Sequence, residues 1–554
     1  MDFIRPNRRD ALLLGLGAGA AVLGEPLLAG PRGRLPRALG AGLTRVVETT
    51  SGQVRGFRHG GVAKFLGITY GANTASRRFL PPAAPTPWRG VRDCAALGAQ
   101  AVQGIVSGAR PGITIDMNAP LVRAVMTNFK ATMETTPGSE DCLALNVWTA
   151  SADPQAHRPV MVWLHGGGFA IGSGGDAQYE GSALVRRGDV VVVTLNHRLN
   201  ALGYLNLGGL HSDFADSGNA GTLDQVLALK WVRENIIQFG GNPNNVTIFG
   251  QSGGGAKVSA MLAVPAARGL FHKAIIRSGP GLRMADKSAA AAIADKTLAL
   301  LGIAKSDVHK LQTIDVGEVV RASAAAAAET HDAMRTLSPV VDGRTLPADP
   351  YEPSAPPSAR DVPVMIGYTK DEATLFSAAD PRFGTMTAEE VQARFNTVLK
   401  DRGPAAFEVY KARAPNDAPT YWFTSMMTDM GTGMNSIRLA ERQVATGRMP
   451  VWMYRTDWRI PVLDGVLRSP HGTDVPLAFD TTENAPLIMG TDGSAKRLAA
   501  VMSQAWINFA RTGNPSQPAL RWPAFDPAKR QTAIFDTVSR IESDPDSNIR
   551  KFWG

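Results

Sequence analysis

The 554-residue chain carries 44% hydrophobic and 19% charged residues, a composition that excludes a disordered chain and a multi-span membrane protein. Lysine and arginine outnumber aspartate and glutamate by 58 to 49, but Arg5, Arg8, Arg9, Arg32, Arg34 and Arg37 crowd the first forty residues and no long basic run follows, so the excess describes a solvated surface and no nucleic-acid footprint. Two cysteines, Cys94 and Cys142, exclude a disulfide-dense scaffold and a cysteine-built zinc site.

At the amino terminus, Asn7-Arg8-Arg9-Asp10 precedes an apolar run from Ala11 to Gly24 that ends at Glu25-Pro26. A charged stretch before a short apolar one is the layout of a secretory signal. The run is shorter than the roughly 20 residues that a membrane-spanning helix needs. Its paired arginines resemble a twin-arginine export signal, which carries folded proteins across the bacterial inner membrane. Residues 1–41 are therefore expected to be a signal peptide, with Ala38-Leu39-Gly40 or Leu27-Leu28-Ala29 as the processing segment. No cysteine closely follows the apolar run, so a periplasmic or secreted protein without a stable membrane anchor is expected.

Beyond this segment, Val46-Val47-Glu48 and Gly52-Gln53-Val54-Arg55-Gly56 alternate between turns, which predicts short antiparallel strands at a sheet edge. Pro81-Pro82 through Pro87-Trp88 is a loop, and the stretch from Ala95 to Gly138 has no sustained period. Val160 to Leu164 and Val190 to Leu195 are continuous apolar runs, the pattern of strands buried on both faces of a parallel sheet. Thr222 to Phe239 has apolar residues at helical spacing, and Val246 to Phe249, Ala274 to Ile276, Val362 to Ile366 and Val451 to Tyr454 return as strands. Strands alternating with helices predict an α/β fold with a mostly parallel, doubly wound sheet. Ser288 to Ala328 and Thr387 to Arg448 read as helical insertions packed over it. With no internal repeat and no linker, residues 42–554 are expected to form one domain.

Two motifs carry chemistry. Gly250-Gln251-Ser252-Gly253-Gly254 follows a predicted strand and precedes a predicted helix from Ala256 to Leu262. A serine on such a tight bend needs small neighbours for its hydroxyl to project, and the helix amino end favours negative charge developing there. His165-Gly166-Gly167-Gly168-Phe169 follows the strand from Val160 to Leu164. Glycines there let backbone N–H groups approach a substrate oxygen, as an oxyanion hole requires, and the lysine of a phosphate-binding loop is absent.

Together with Arg78-Phe79-Leu80-Pro81-Pro82, Glu140-Asp141-Cys142-Leu143, Asn196-His197-Arg198-Leu199, Asp224-Gln225-Val226-Leu227 and the run Phe239 to Ile248, these motifs resemble the type-B carboxylesterases, a family that includes cholinesterases and bacterial para-nitrobenzyl esterases. The likeness runs from about Thr44 to near the C-terminus. It implies an α/β-hydrolase fold, a large mostly parallel central sheet flanked by helices with helical insertions over the active site, and a triad in the chain order serine, acid, histidine. Ser252 is then the nucleophile. Of the downstream histidines His272, His309, His331 and His471, only His471 lies in a segment, Ser469 to Pro476, that is similar to the family's catalytic histidine loop. Gly367 to Ala373 resembles the segment whose glutamate orients that histidine, which gives Glu372, with Asp371 as its neighbour and Asp474 as a more distant alternative. The resemblance places the oxyanion-hole donors on Gly167, Gly168 and Gly253 and requires neither cofactor nor metal.

This chain also departs from the family pattern. Gln251 stands where glutamate is usual, which removes attraction for a cationic substrate, and Gly253 stands where alanine is usual. From Ala95 to Asp141 there is no tryptophan or tyrosine to stack on a quaternary ammonium group. Cys94 precedes the family's first cysteine position by several residues, which leaves a Cys94–Cys142 disulfide open. Met426, Met427, Met430 and Met434 fall near helical spacing and suit either an acyl pocket or ordinary core. The expected function is that of an exported serine carboxylesterase, hydrolysing neutral, fairly apolar small-molecule esters through an acyl-enzyme on Ser252. The alternatives are an amide or carbamate hydrolase using the same residues, or a noncatalytic adhesion-type member, against which the presence of Ser252, Glu372 and His471 argues. Oligomeric state is not legible in the sequence.

Overall fold

The computed structural model describes residues 42–103, 136–330 and 337–554. The expected signal peptide and His331 lie outside the described residues. The first strands are β1 (Leu43–Thr49), β2 (Gly52–His59) and β3 (Val62–Thr69), followed by the short β4 (Val91–Asp93) and by β5 (Ala144–Thr149). Next come β6 (Arg158–Leu164), β7 (Val191–Leu195), β8 (Gly241–Gln251) and β9 (Lys273–Arg277). The two-residue β10 (Ala285–Asp286) and β11 (Val340–Val341) pair apart from the others. The chain closes with β12 (Val364–Thr369), β13 (Val451–Thr456), β14 (Gln531–Phe535) and β15 (Arg540–Ser543).

Thirteen of these strands form one sheet in the order β1-β2-β3-β5-β7-β6-β8-β9-β12-β13-β14-β15, with β4 beside β2. From β7 to β14 every pairing is parallel. The flanks, β1-β2-β3-β5 onto β7 and β15 on β14, are antiparallel, while β4 pairs parallel with β2. This is the mostly parallel sheet expected from the alternation of strands and helices, in the α/β-hydrolase architecture that the family resemblance implies. The apolar runs are continuous because both faces are covered. In β6, Val160, Val162 and Leu164 face one buried core while Met161 and Trp163 face the other, and β13 divides Val451 and Met453 from Trp452 and Tyr454 in the same way. Each fully buried aliphatic side chain of this kind contributes roughly 1.5–3 kcal/mol relative to exposure.

Several boundaries differ from the sequence expectation. The strand expected over Val362 to Ile366 starts at Val364, after the donor-less Pro363, and continues to Thr369. Gly367 lets it pass beside the Tyr454 ring, which a Cβ there would meet at 2.3 Å. Helices Lys287–Leu300 and Val316–Ala328 make the first insertion, and Ala388–Leu399, Gly403–Arg413, Pro419–Thr428 and Met434–Thr446 make the second. A π-type turn, Asp429–Gly433, breaks the last two. It puts Met426 and Met434 in the core and leaves Met427 and Met430 half-buried. Cys94 and Cys142 are free, buried thiols, and burial pushes the Cys94 thiol up to about 12. Among the described residues no helix is long and apolar enough to cross a membrane.

Candidate active site

The parallel strands end on one side of the sheet, and the loops that leave them there carry the predicted residues, the usual location of a site in an open α/β sheet. At the end of β8, Ser252 has φ 59° and ψ −127° and caps the helix Gly253–Ala263. A non-glycine residue in this region stores strain and is held there by its neighbours. The Ser252 N–H donates to the Arg277 carbonyl at 2.8 Å, and its carbonyl accepts from the Ala256 N–H at 3.1 Å. The hydroxyl therefore sits at a helix amino end whose first N–H groups are unpaired within the helix.

The loop after β6 lies against this turn. Gly167 and Gly168 have φ of +87° and +63°. A Cβ on Gly253 would lie 2.1 Å from the Gly168 carbonyl oxygen, so the helix start and the glycine loop pack backbone on backbone. The loop folds back through Ile171 N–H to the Gly167 carbonyl at 3.1 Å. The three expected oxyanion donors, Gly167, Gly168 and Gly253, are thus brought to one place next to Ser252.

Glu372 and His471 meet directly. Glu372, 3% exposed, begins the helix Glu372–Ser377 just beyond β12 and accepts from His471 Nδ1 through Oε2. Its Oε1 accepts from the Thr369 N–H at 2.8 Å, which fixes the carboxylate. The Phe376 ring packs on the imidazole at 5.0 Å between centroids. With Nδ1 donating, Nε2 carries the lone pair. Among the described residues the hydrogen bond to that atom comes from the Gln251 amide, at 3.1 Å, and not from the Ser252 hydroxyl.

The other candidates are used elsewhere. Asp371 ties β12 to the histidine loop, its N–H donating to the Ser469 carbonyl at 3.0 Å and its carboxylate accepting from the Ser469 N–H at 3.3 Å. Burial raises its carboxyl above the ordinary range. Asp474 accepts from Arg277 at 3.0 Å and from the Tyr454 hydroxyl at 2.9 Å, a fully buried pairing that braces the loop. His272 accepts from the Val246 N–H, and His309 is exposed. The signature arginines are structural anchors: Arg78 pairs with Glu140 at 2.7 Å and donates to the Leu311 carbonyl, and the buried Arg198 pairs with Asp224 at 2.7 Å.

Two features were not visible in the sequence. Gln251, the last residue of β8, reaches the imidazole of the histidine loop with its side-chain amide. Lys257, 1% exposed, lies beneath the glycine loop and donates to the His165 carbonyl at 2.9 Å. Beside it the buried His165 and His197 rings stack at 4.9 Å, each Nδ1 directed at the carbonyl of the following residue. A lone lysine in the otherwise small, apolar helix Gly253–Ala263 was the available signal.

Comparison with known proteins adds to this geometry. The chain matches the profile of the carboxylesterase family over residues 43–553. It is 36% identical over 514 residues to the para-nitrobenzyl esterase of Bacillus subtilis (strain 168), covering 92% of this chain and 98% of that one. It is 31% identical over 497 residues to the phenmedipham hydrolase of Pseudarthrobacter oxydans, covering 87% and 94%. Among solved structures, the Geobacillus stearothermophilus carboxylesterase EST55 superposes with a TM-score of 0.77 at 35% identity, covering 92% of this chain and all of that one.

Proposed function

This chain belongs to the carboxylesterase family and is a carboxylic ester hydrolase, and on that premise we propose that it works through an acyl-enzyme on Ser252. The observation that carries the proposal is the Glu372–His471 pair, held on the loops after β12 and β13 on the same side of the sheet as the strained serine. Ser252 Oγ bonds to the ester carbonyl carbon as its proton passes to His471 Nε2. The carbonyl oxygen becomes an oxyanion facing the N–H groups of Gly167, Gly168 and Gly253. Glu372 keeps the imidazole in the right tautomer and stabilises its protonated form. The C–O bond to the leaving alcohol then breaks, and the alcohol takes the proton from His471. Water, activated by the same Nε2, cleaves the acyl-enzyme and restores the serine. During the cycle Gln251 must release Nε2, so its contact belongs to the resting enzyme.

Neutral, fairly apolar esters fit the site best. A neutral amide, Gln251, stands beside the nucleophile, and residues 95–141 contain no tryptophan or tyrosine for a cationic headgroup. Hydrolysis of a panel of p-nitrophenyl acyl esters tests the reading, with choline esters, amides and carbamates as further arms. Ser252→Ala is expected to lower kcat on the order of 10⁴-fold or more. Equal rates for wild type and variant would overturn the acyl-enzyme, and a preference for the amide or carbamate arm would reassign the substrate class. Export through the arginine pair at 8 and 9 is part of the same proposal: replacing both with lysine should strand precursor in the cytoplasm, and normal delivery would refute it.

A further inference from the structure

Away from the glycine loop, two imidazoles and a carboxylate converge on the surface. His211 and Asp213 flank Ser212 at the short turn Ser212–Phe214, and His309 lies in the 3-10 segment Lys305–Gln312 of the alanine-rich insertion. One donor atom from each lies within 4.8 Å of the other two. His211 Nδ1 is 3.5 Å from Asp213 Oδ2, and His309 Nε2 is 3.7 Å from the same oxygen. Ligands bound tetrahedrally at roughly 2.0–2.2 Å sit about 3.4 Å apart. Two of the three edges are therefore within a few tenths of an ångström of a coordination polyhedron, and a small rotation of one half-exposed ring closes the third.

One imidazole presents a free lone pair toward the cluster and the other has its lone pair engaged by a backbone N–H. His309 Nδ1 faces Gln312 Oε1 at 3.4 Å and donates to it, which leaves Nε2 unprotonated toward Asp213. His211 Nδ1 accepts a long 3.2 Å bond from the Asp213 N–H, which an ion would replace and water at this exposed turn would satisfy. The platform beneath is packed. Phe214 lies 4.9 Å from the His309 ring and 6.3 Å from the His211 ring, and belongs to a buried cluster with Leu207, Val308 and Leu311 that joins the turn to the insertion. The neighbouring cation, Lys310, is paired with Asp307 at 2.7 Å.

We propose that His211, Asp213 and His309 bind one first-row divalent transition ion of the zinc class, with water completing its coordination, and that the ion staples the helical insertion to the body of the enzyme. Two imidazoles and one carboxylate select zinc, cobalt, nickel or copper over magnesium or calcium. Binding to the folded chain alone stabilises it by mass action.

The test uses tag-free, chelator-treated protein titrated with Co²⁺ and then Zn²⁺. Wild type is expected to bind one Co²⁺ per chain with visible d–d absorption that Zn²⁺ displaces, and its unfolding temperature should rise with Zn²⁺. His309→Ala and His211→Ala should lose both responses, while Gln312→Leu, which keeps every ligand, should weaken binding by about 10–100-fold. All three positions are outside the catalytic loops, so ester hydrolysis without metal should be unchanged. The proposal is overturned by absence of saturable binding in wild type, or by equal binding in the two histidine variants.

Discussion

Lys257 makes a single hydrogen bond, to the His165 carbonyl, and has no carboxylate partner among the described residues. Burial pushes its ammonium down from 10.5 to about 7. Between those values the folded chain holds the amine neutral while the unfolded chain keeps its proton. The unfolded state then binds more protons, and stability rises with pH across that window by up to about 1.4 kcal/mol per pH unit. Between pH 7 and pH 9 urea unfolding of wild type should therefore gain about 2 kcal/mol over Lys257→Met, and parallel pH profiles for the two would refute the assignment. At this scale the sequence was a partial guide. The family resemblance led to Glu372 and His471, which the structure places in contact, and the glycine-flanked pattern drew attention to Ser252, which the resemblance then made the expected nucleophile. Gln251 as the partner of the imidazole was hidden, since no spacing in the chain says which way an amide points.

The loop after β6 depends on glycine at position 167. Its φ of +87° disfavours any side chain, and a Cβ would lie 2.3 Å from the Ile171 carbonyl oxygen, a backbone atom that can only yield if the loop moves. If Gly167 is an oxyanion donor as proposed, Gly167→Ala should displace it and lower kcat by about 10²-fold or more with little change in KM. Steady-state rates over a range of ester concentrations check this, and a kcat within twofold of wild type would remove the loop from the mechanism. The strands that the apolar runs predicted are those buried on both faces, because burial forces that run. β3 was not legible because Gly67, at φ +69°, sits where its register with β5 slips between Phe65 and Ile68 and interrupts the alternation. β5 was obscured by Asn146, a buried polar residue satisfied by donating to the Thr194 hydroxyl at 2.9 Å. The second insertion was legible as helix but its phase was not, since Asp429 anchors the π-type turn by accepting from the Tyr410 hydroxyl at 2.9 Å.

At the scale of the molecule, the strand order and the long-range ion pairs escape a linear reading, because they join residues that nothing in the chain sets side by side. Asp546, just before the C-terminal helix Ser547–Trp553, pairs with Arg455 at the end of β13 and with Arg413 of the second insertion at 2.6 Å. Arg455 is also held by Asp457 at 2.7 Å, Arg413 also pairs with Asp429 at 3.1 Å, and Trp553 Nε1 donates to the Tyr410 hydroxyl at 2.9 Å. One network thus clamps the C-terminus, the sheet and the insertion together next to β12, the strand that leads to Glu372. Asp546 bonds both guanidiniums in a largely buried setting, so deleting it removes two charge-assisted hydrogen bonds while Arg455 keeps Asp457 and Arg413 keeps Asp429, at a cost of about 2–3 kcal/mol. Asp546→Ala should therefore unfold at markedly lower urea concentration while the remaining folded enzyme keeps the wild-type kcat at 25 °C. Asp546→Asn, which preserves one hydrogen-bond acceptor, should fall between the two. A loss below about 1 kcal/mol for the alanine variant would mean that solvent reaches these pairs and that the C-terminal helix is held by its apolar contacts instead.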